Sequence, residues 1–164
     1  MTDEARHTDP ARHLITAAQA TALEERRHVH QFNANAVRLT RTLSDSVGLE
    51  RIGIHLIRLE PGRDSTQHHY HDADEEFLYV LSGRGIAHIG EASFEIGAGD
   101  FMGFPAPSPA HSLSNPYEQD LVYLMGGERN LVDAVHYPHI QRSMLKAHGR
   151  KRWVDWSELH DVPR

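Results

Sequence analysis

The 164-residue chain has 39% hydrophobic and 24% charged residues, an ordinary composition for one soluble globular domain with a sizeable core. A formal net charge of −6 and a pI near 6.1 argue against a general nucleic-acid binder. Cysteine is absent, which excludes disulfides and thiolate metal sites, whereas fourteen histidines leave imidazole and carboxylate ligands available.

The N-terminal region predicts a flexible tail followed by a short helix. Residues 1–13 are polar and lack the basic and apolar segments of a secretory signal. Residues 16–27 have helical composition, and Thr16 is a candidate N-cap. No apolar run approaches the length of a membrane span. We therefore expect a cytoplasmic protein that binds neither membrane nor nucleic acid.

The middle of the chain predicts an all-β barrel or sandwich, because many short apolar segments are separated by Gly- and Pro-rich turns. The spacings suit antiparallel hairpins and leave no room for crossover helices. The predicted strands are 36–40, 52–59, 67–71, 76–81, 85–89, 92–96, 100–104, 111–114 and 121–125. We assign 14–136 to this barrel with its N-terminal extension.

The C-terminal region, 137–164, is expected to be a tail that packs on the barrel or on a partner subunit. Residues 138–147 predict a short peripheral helix, and the basic cluster at 149–152 is more typical of a solvated turn than of a binding patch. Trp153 and Trp156 are expected to anchor this tail.

The stretch HYHDADEE, residues 69–76, contains the clearest candidates for metal-binding residues. In a strand, residues two apart share a face, so His69 and His71 point the same way. An H-x-H pair supplies two imidazole nitrogens to a metal, yet an isolated pair is more often a solvated turn. The polar turn before Glu76 prevents strand parity from being extended to that carboxylate.

The surrounding residues resemble the first motif of the cupin superfamily, G-x5-H-x-H-x(3–4)-E-x6-G. Here it reads PGRDSTQHHYHDADEEFLYVLSG, from Gly62 to Gly83. Glu76 fits the glutamate position better than Glu75, which would leave seven residues before Gly83. One extra residue separates Gly62 from His69. Taking His68 as the first ligand restores that count, but Tyr70 would then replace the second histidine.

The stretch GDFMGFPAPSPAHSLSN resembles the second cupin motif, G-x5-P-x-G-x2-H-x3-N. Gly99, Pro105, His111 and Asn115 occupy motif positions, whereas Pro107 replaces a glycine and one extra residue precedes His111. The exact sequence GDFMGFPA within this motif, together with the Gly48-Leu49…Gly53 lead-in and the downstream His136-Tyr137-Pro138, resembles a bacterial group of small, uncharacterised single-domain cupins.

The resemblance implies a double-stranded β-helix barrel that holds one divalent metal ion. With the two short helices predicted above, the expected fold is an all-β cupin barrel that has short peripheral helices at its N- and C-terminal ends. The implied metal ligands are His69, His71, Glu76 and His111. Three neutral imidazoles and one carboxylate leave a divalent ion with a net charge of about +1 and open coordination positions. Fe, Mn, Ni, Co and Zn all suit these ligands, and ligand type does not choose among them.

Such a site predicts an enzyme acting on a small oxygen-bearing molecule, with dioxygenase chemistry first and isomerase or lyase chemistry next. The alternative is a non-catalytic cupin that binds or senses a small molecule or metal. Candidate substrate-binding residues are His55 or Arg58, which have opposite strand parity, together with Phe104 and Tyr123. Exposed sheet edges favour a homodimer, with 14–40 and 153–156 expected to contact the partner.

Overall fold

The computed structural model describes residues 9–160 and residue 162. Residues 1–8 of the predicted flexible tail lie outside this range, and Pro10–His13 forms a 3-10 turn. The thirteen strands within the described range are β1 (Arg26–His30), β2 (Asn33–Thr42), β3 (Ile52–Leu59), β4 (Tyr70–His71), β5 (Glu76–Ser82), β6 (Arg84–Ile89), β7 (Ala92–Gly97), β8 (Phe101–Phe104), β9 (His111–Ser114), β10 (Leu121–Glu128), β11 (Val132–Tyr137), β12 (Arg142–Ala147) and β13 (Arg150–Asp155).

These strands form three antiparallel sheets, which confirms the predicted all-β double-stranded β-helix. The six-stranded sheet has the order β1-β2-β3-β10-β5-β8, the four-stranded sheet β13-β12-β11-β4, and the three-stranded sheet β7-β6-β9. An isolated bridge pairs His69 with His111 through hydrogen bonds of 3.2 and 2.7 Å between their backbones. This bridge brings the two motif segments together although its two residues are 42 positions apart in sequence.

The apolar core lies between the six-stranded and three-stranded sheets, where alternate residues of each strand point inward. Its buried members are Ile57, Leu59, Leu78, Val80, Ala87, Ile96, Met102, Phe104, Leu113, Leu121 and Tyr123. Gly83 makes the turn from β5 to β6 with a φ of 80°, and a Cβ there would lie 2.1 Å from the carbonyl oxygen of Asp120. The motif glycine at this position therefore serves the turn and the close backbone approach.

The helix α1 (Ala17–Ala22) confirms Thr16 as an N-cap. The Thr16 hydroxyl accepts a 3.2 Å hydrogen bond from the backbone N–H of Gln19, and the Gln19 side chain accepts one of 2.8 Å in return. The helix ends earlier than its composition suggested because β1 begins at Arg26 and pairs with β2. No helix in the described part of the chain is long and apolar enough to cross a membrane.

The predicted helix at 138–147 is wrong. Pro138–Ile140 forms a single 3-10 turn, Gln141 adopts a left-handed φ of 52°, and the chain then reverses into β12. β12 pairs with β11 on one side and β13 on the other, so sheet hydrogen bonds outweigh local helical preference. Residues 142–155 of the predicted tail thus extend the sheet that contains β4.

Candidate metal centre

Three imidazoles converge on one carboxylate oxygen at the inner ends of β4, β5 and β9. Glu76 Oε2 lies 3.1 Å from His111 Nε2, 3.4 Å from His71 Nε2 and 3.5 Å from His69 Nε2. Donor atoms of His69, Glu76 and His111 all lie within 4.8 Å of one another. The structure therefore brings together the four residues predicted as ligands.

Each of the three rings is oriented by an oxygen acceptor at its other nitrogen. Nδ1 lies 3.0 Å from the Gln67 carbonyl in His69, 2.7 Å from Asp133 Oδ2 in His71, and 3.4 Å from the Pro109 carbonyl in His111. An Nδ1–H donated to these oxygens leaves the Nε2 lone pair directed toward Glu76. This is the neutral tautomer that a metal ion requires.

The arrangement fits a divalent cation. Ligand atoms at about 2.0–2.2 Å from one ion lie roughly 2.8–3.6 Å apart for right-angled to tetrahedral geometry. The three nitrogen–oxygen distances of 3.1, 3.4 and 3.5 Å fall in that range. Nitrogen and oxygen lone pairs that face one another repel unless a proton or a cation lies between them. The donor set therefore suits a bound ion.

The electrostatics of the four groups follow from the same geometry. Burial opposes ionisation of Glu76, but hydrogen bonds with His111, His69 and His71 hold its pKa well below the usual value. Burial also lowers the pKa of His71, yet Glu76 and Asp133 together raise it to about 9. For His69, burial prevails and the pKa is lowered. Without an ion, a proton on His71 compensates the buried carboxylate, and a metal ion would displace that proton.

Asp133, on β11, orients His71 and was not predicted from the sequence. Its side chain is fully buried, and its other oxygen accepts hydrogen bonds from the backbone N–H groups of Ala73 and Asp74. Asp74 itself is occupied by Lys146 and by the Asn130 N–H. Asp133 therefore acts as a carboxylate behind a histidine ligand, an arrangement that fixes ring orientation and raises ligand basicity.

The four groups line one side of a cavity of about 430 Å³, within the range for small-ligand sites. Two predicted substrate-binding residues also line it. Phe104 stacks on His111 with ring centroids 3.6 Å apart. The Tyr123 hydroxyl is buried beside the Ser65 side chain but makes no hydrogen bond of good geometry with it. Burial raises the pKa of Tyr123 to about 12, so the hydroxyl stays protonated.

The other two predicted substrate-binding residues do not line this cavity. His55 is on the inner face of β3, where its Nδ1 lies 3.1 Å from the Thr42 hydroxyl. Arg58 is on the outer face and donates hydrogen bonds to Glu25 and Asp120. The parity argument that only one of them faces inward is consistent with this arrangement.

Arg38, His30, Tyr137 and Trp153 line the cavity but were not predicted to do so. His30 and Tyr137 are in ring contact, with centroids 5.3 Å apart, and Trp153 lies 5.0 Å from Tyr137. The alternation in VDAVHY, residues 132–137, could have revealed β11 and its inward-facing Asp133. The sequence carries no comparable signal for Arg38.

Comparison with known proteins agrees with the fold and the motifs. The profile of the cupin domain matches residues 55–127. A structure from Acidithiobacillus ferrooxidans, named as a candidate sugar phosphate isomerase, superposes with a TM-score of 0.91 at 38% identity, covering 95% of this chain and 100% of that chain. A structure from Silicibacter pomeroyi, named a sugar phosphate isomerase of the cupin superfamily, gives 0.75 at 25% identity, covering 82% and 90%.

A structure from Thermotoga maritima, named a predicted oxalate decarboxylase, gives a TM-score of 0.57 at 20% identity, covering 68% of this chain and 96% of that chain. This similarity supports the fold alone. No curated protein matches the sequence. The two motifs, the match over 55–127 and the full-length relative at 38% identity lead to one conclusion: the chain belongs to the cupin superfamily.

Proposed function

We propose that the protein is a metal-dependent isomerase that acts on a small phosphorylated sugar. The observation that carries this proposal is the convergence of His69, His71 and His111 on Glu76 at the wall of a ligand-sized cavity. A divalent ion held by these four residues would polarise a carbonyl oxygen and the neighbouring hydroxyl oxygen of a sugar. Relatives at 38% and 25% identity carry names of sugar phosphate isomerases, which favours isomerase chemistry.

The proposed reaction conserves every atom of the substrate. A proton leaves the carbon that bears the hydroxyl group and is returned to the former carbonyl carbon, while the hydroxyl proton moves to the former carbonyl oxygen. No oxidant or second substrate is needed. Tyr123, whose pKa is raised to about 12 by burial, stays protonated throughout the neutral pH range and would donate a hydrogen bond to a substrate oxygen that reaches its buried hydroxyl. Phe104 and Leu78 form apolar walls that exclude water.

We therefore rank isomerase chemistry above dioxygenase chemistry, which the sequence alone places first. Both reactions suit a centre of three histidines and one carboxylate, but oxygen consumption separates them. The non-catalytic alternative predicts ligand binding without turnover.

The experiment loads metal-free protein separately with Mn, Fe, Co, Ni and Zn and incubates it with triose to hexose phosphates in D2O. Isomerisation is expected to appear in proton NMR as a new sugar together with deuterium at the exchanged carbon. Oxygen uptake is followed in parallel under air. Glu76→Gln should abolish the signal, whereas Glu25→Gln, on the outer face, should retain it.

Loss of substrate only when oxygen is present would assign the protein to the dioxygenases. Metal binding and ligand binding without turnover by any loaded form would favour the non-catalytic alternative. Metal retained after His69→Ala and His71→Ala together would show that the ligand assignment is wrong.

Homodimer formation and a cytoplasmic location stay predictions. Light scattering coupled to gel filtration at micromolar concentration tests the first, and a monodisperse monomer would contradict it.

A further inference from the structure

We propose that Arg38, with His28 and Lys151 beside it, forms the subsite that receives the phosphate group of the substrate. This inference rests on the proposed function for the identity of the substrate, but the anion-binding property can be tested alone. None of the three residues belongs to the motifs or to the metal centre. All three line the same cavity as Glu76.

Arg38 faces the cavity because of the register of three adjacent strands. In β2 and β3, Thr40 is paired with Ile57, a buried core residue, so the even-numbered residues of β2 share the inner face. Arg38 therefore points inward beside Thr40. His28 of β1 is directly paired with Arg38 and brings a second nitrogen-bearing side chain to the same place.

The Arg38 side chain has no partner within the part of the chain that the structure describes. Its Nε is buried without a hydrogen bond, and the guanidinium takes part in no ion pair. A guanidinium has five N–H donors, and leaving the buried Nε–H of Arg38 without an acceptor is unfavourable. An anion in the cavity would accept from the guanidinium, and the planar donor fork matches phosphate geometry.

The charges around the cavity also favour an anion. Glu76 is the only carboxylate among the described residues that line it, whereas Arg38 and Lys151 contribute two positive charges. A divalent ion would more than offset Glu76. The cavity would thus be positive although the whole chain has a formal net charge of −6.

Electrostatic effects on neighbouring groups place Arg38 and Glu76 at the borders of one space. The positive charge of Arg38 and the negative charge of Glu76 both act on the hydroxyls of Tyr123 and Tyr137, although burial dominates and raises each pKa to about 12. Burial, followed by the charges of Arg38 and Lys151, lowers the pKa of His28. The three proposed phosphate ligands therefore lie near one another, and both tyrosines line the same cavity within electrostatic range of Arg38 and Glu76.

His28 and Lys151 are exposed, whereas Arg38 is half-buried. This gradient suggests the order of binding: the two exposed cations attract the phosphate from solvent, and the less mobile guanidinium fixes it. The sugar would then extend from the phosphate through the cavity toward the metal ligands. Recognition of phosphate by Arg38 would select phosphorylated sugars over free sugars.

The test measures equilibrium binding with two probes, D-ribose 5-phosphate and D-ribose, by following Trp153 fluorescence in the zinc-loaded protein. Trp153 lines the cavity, so its emission reports a bound ligand. The wild type should bind the phosphate ester more tightly than the free sugar. Arg38→Met should weaken binding of the ester by about 10- to 100-fold, as expected for loss of a charge-assisted hydrogen-bonded pair, and leave free-sugar binding unchanged.

Arg58→Met is the matched control, because it removes an arginine of the adjacent strand from the outer face. It should leave both affinities unchanged. Arg38→Lys should recover part of the lost affinity, and Lys151→Met should cause a smaller loss in a protein with an intact β2. If Arg38→Met does not fold, these two variants decide the question.

Equal binding of the ester by the wild type, Arg38→Met and Lys151→Met would overturn the inference, as would ester binding that depends on zinc alone. Inorganic phosphate is also titrated into metal-free protein, where saturable binding that is lost in Arg38→Met supports the subsite. Failure of isomerisation with Arg38-dependent phosphate binding would refute the proposed function and leave the subsite standing. Isomerisation that is insensitive to Arg38→Met would support the proposed function and refute the phosphate subsite.

Discussion

Two arginines on neighbouring strands of the same sheet have opposite surroundings. On the outer face, Arg58 donates to Glu25 with an Nη2–Oε2 distance of 2.6 Å and to Asp120 at 3.0 Å, while Arg41 approaches the other Glu25 oxygen to 2.9 Å. On the inner face, the Arg38 guanidinium has no partner among residues 9–160. Among the described residues, the outer arginines are fully paired, whereas the Arg38 guanidinium keeps donors that the protein itself does not satisfy.

The same contrast holds for two glutamates. Glu25 is saturated by two arginines, and its side chain is 20% exposed. Glu76 has a similar exposure of 18% but is surrounded by histidine nitrogens arranged around one point. A carboxylate paired with permanent cations stabilises the fold, and a carboxylate surrounded by titratable nitrogen ligands can exchange protons for a metal. Exposure alone does not distinguish the two glutamates. The residues that surround each carboxylate determine whether it stabilises the fold or can bind a metal.

The largest expected effect is loss of metal affinity in Glu76→Gln. The amide supplies no negative charge, so affinity for zinc should fall by more than about 100-fold, beyond the range seen when only a supporting carboxylate is removed. Competition with a chromophoric chelator measures this, and Glu25→Gln is the control that should bind zinc normally. Equal losses in the two variants would contradict the distinction between the faces.

Asp133→Asn should weaken zinc binding by about 10- to 100-fold, because it removes the charge that orients His71 and raises its basicity. Asp72→Asn is a matched control, since Asp72 lies 3.0 Å from His136 Nε2 in a pair that does not face the metal centre. The same competition assay applies. Unchanged affinity in Asp133→Asn would show that the backbone alone positions His71.

Arg58→Met should lower the free energy of unfolding by about 1 kcal/mol, because Glu25 and Asp120 lose their shared donor in a partly exposed network. Arg38→Met should leave it unchanged or raise it, since no internal pair is broken and an unsatisfied group is removed. Urea denaturation of the metal-free proteins measures both. A larger loss from Arg38→Met than from Arg58→Met would reverse the assignment of the two arginines.

The sequence was informative where periodicity and motif spacing act together. Strands 52–59 and 111–114 have the predicted bounds, and His69, His71 and His111, which the two motifs contain, converge on Glu76. These strands could be predicted because the alternation of apolar and polar residues, and the Gly and Pro residues of the turns, can be recognised within a short stretch of sequence. The convergence of the four side chains was then implied by family resemblance.

Arg38 and Asp133 could not be found in this way. Ala36 and Val37 point to opposite faces, yet each is only 1% exposed, so apolar alternation does not reveal which face of β2 is inner. Asp133 lies on β11, whose pairing with β4 and β12 is a property of the folded chain. Pairing between distant strands, rather than local preference, determined both positions.

The pH dependence of the free energy of unfolding should reveal the contribution of the ion pairs that Glu25 makes on the outer face. The hydrogen bond from Arg58, opposed by burial and reinforced by the charges of Arg58 and Arg41, lowers the folded-state pKa of Glu25. A lowered pKa contributes stability that is present above the unfolded-state value of about 4.3 and is lost as pH falls through the folded-state value. Glu25→Gln should therefore be less stable than wild type at pH 7, and the difference should shrink below pH of about 4.

Urea denaturation between pH 7 and 3 measures this difference. Glu24→Gln is the control, because the Glu24–Arg26 pair is 73% and 77% exposed and should contribute little. A constant difference between Glu25→Gln and wild type across this range would contradict the electrostatic origin of the effect.

The smallest effect compares two threonines on the inner face of β2. The Thr40 hydroxyl is buried without a partner, whereas the Thr42 hydroxyl lies 3.1 Å from His55 Nδ1. Valine has the same shape as threonine, so Thr42→Val should cost about 1 kcal/mol through the lost hydrogen bond, and Thr40→Val should be neutral or stabilising. Urea denaturation at pH 7 measures both. If Thr40→Val costs as much as Thr42→Val, the Thr40 hydroxyl is hydrogen-bonded in solution. Arg38 Nε would then remain as the unsatisfied buried polar atom on this face of β2.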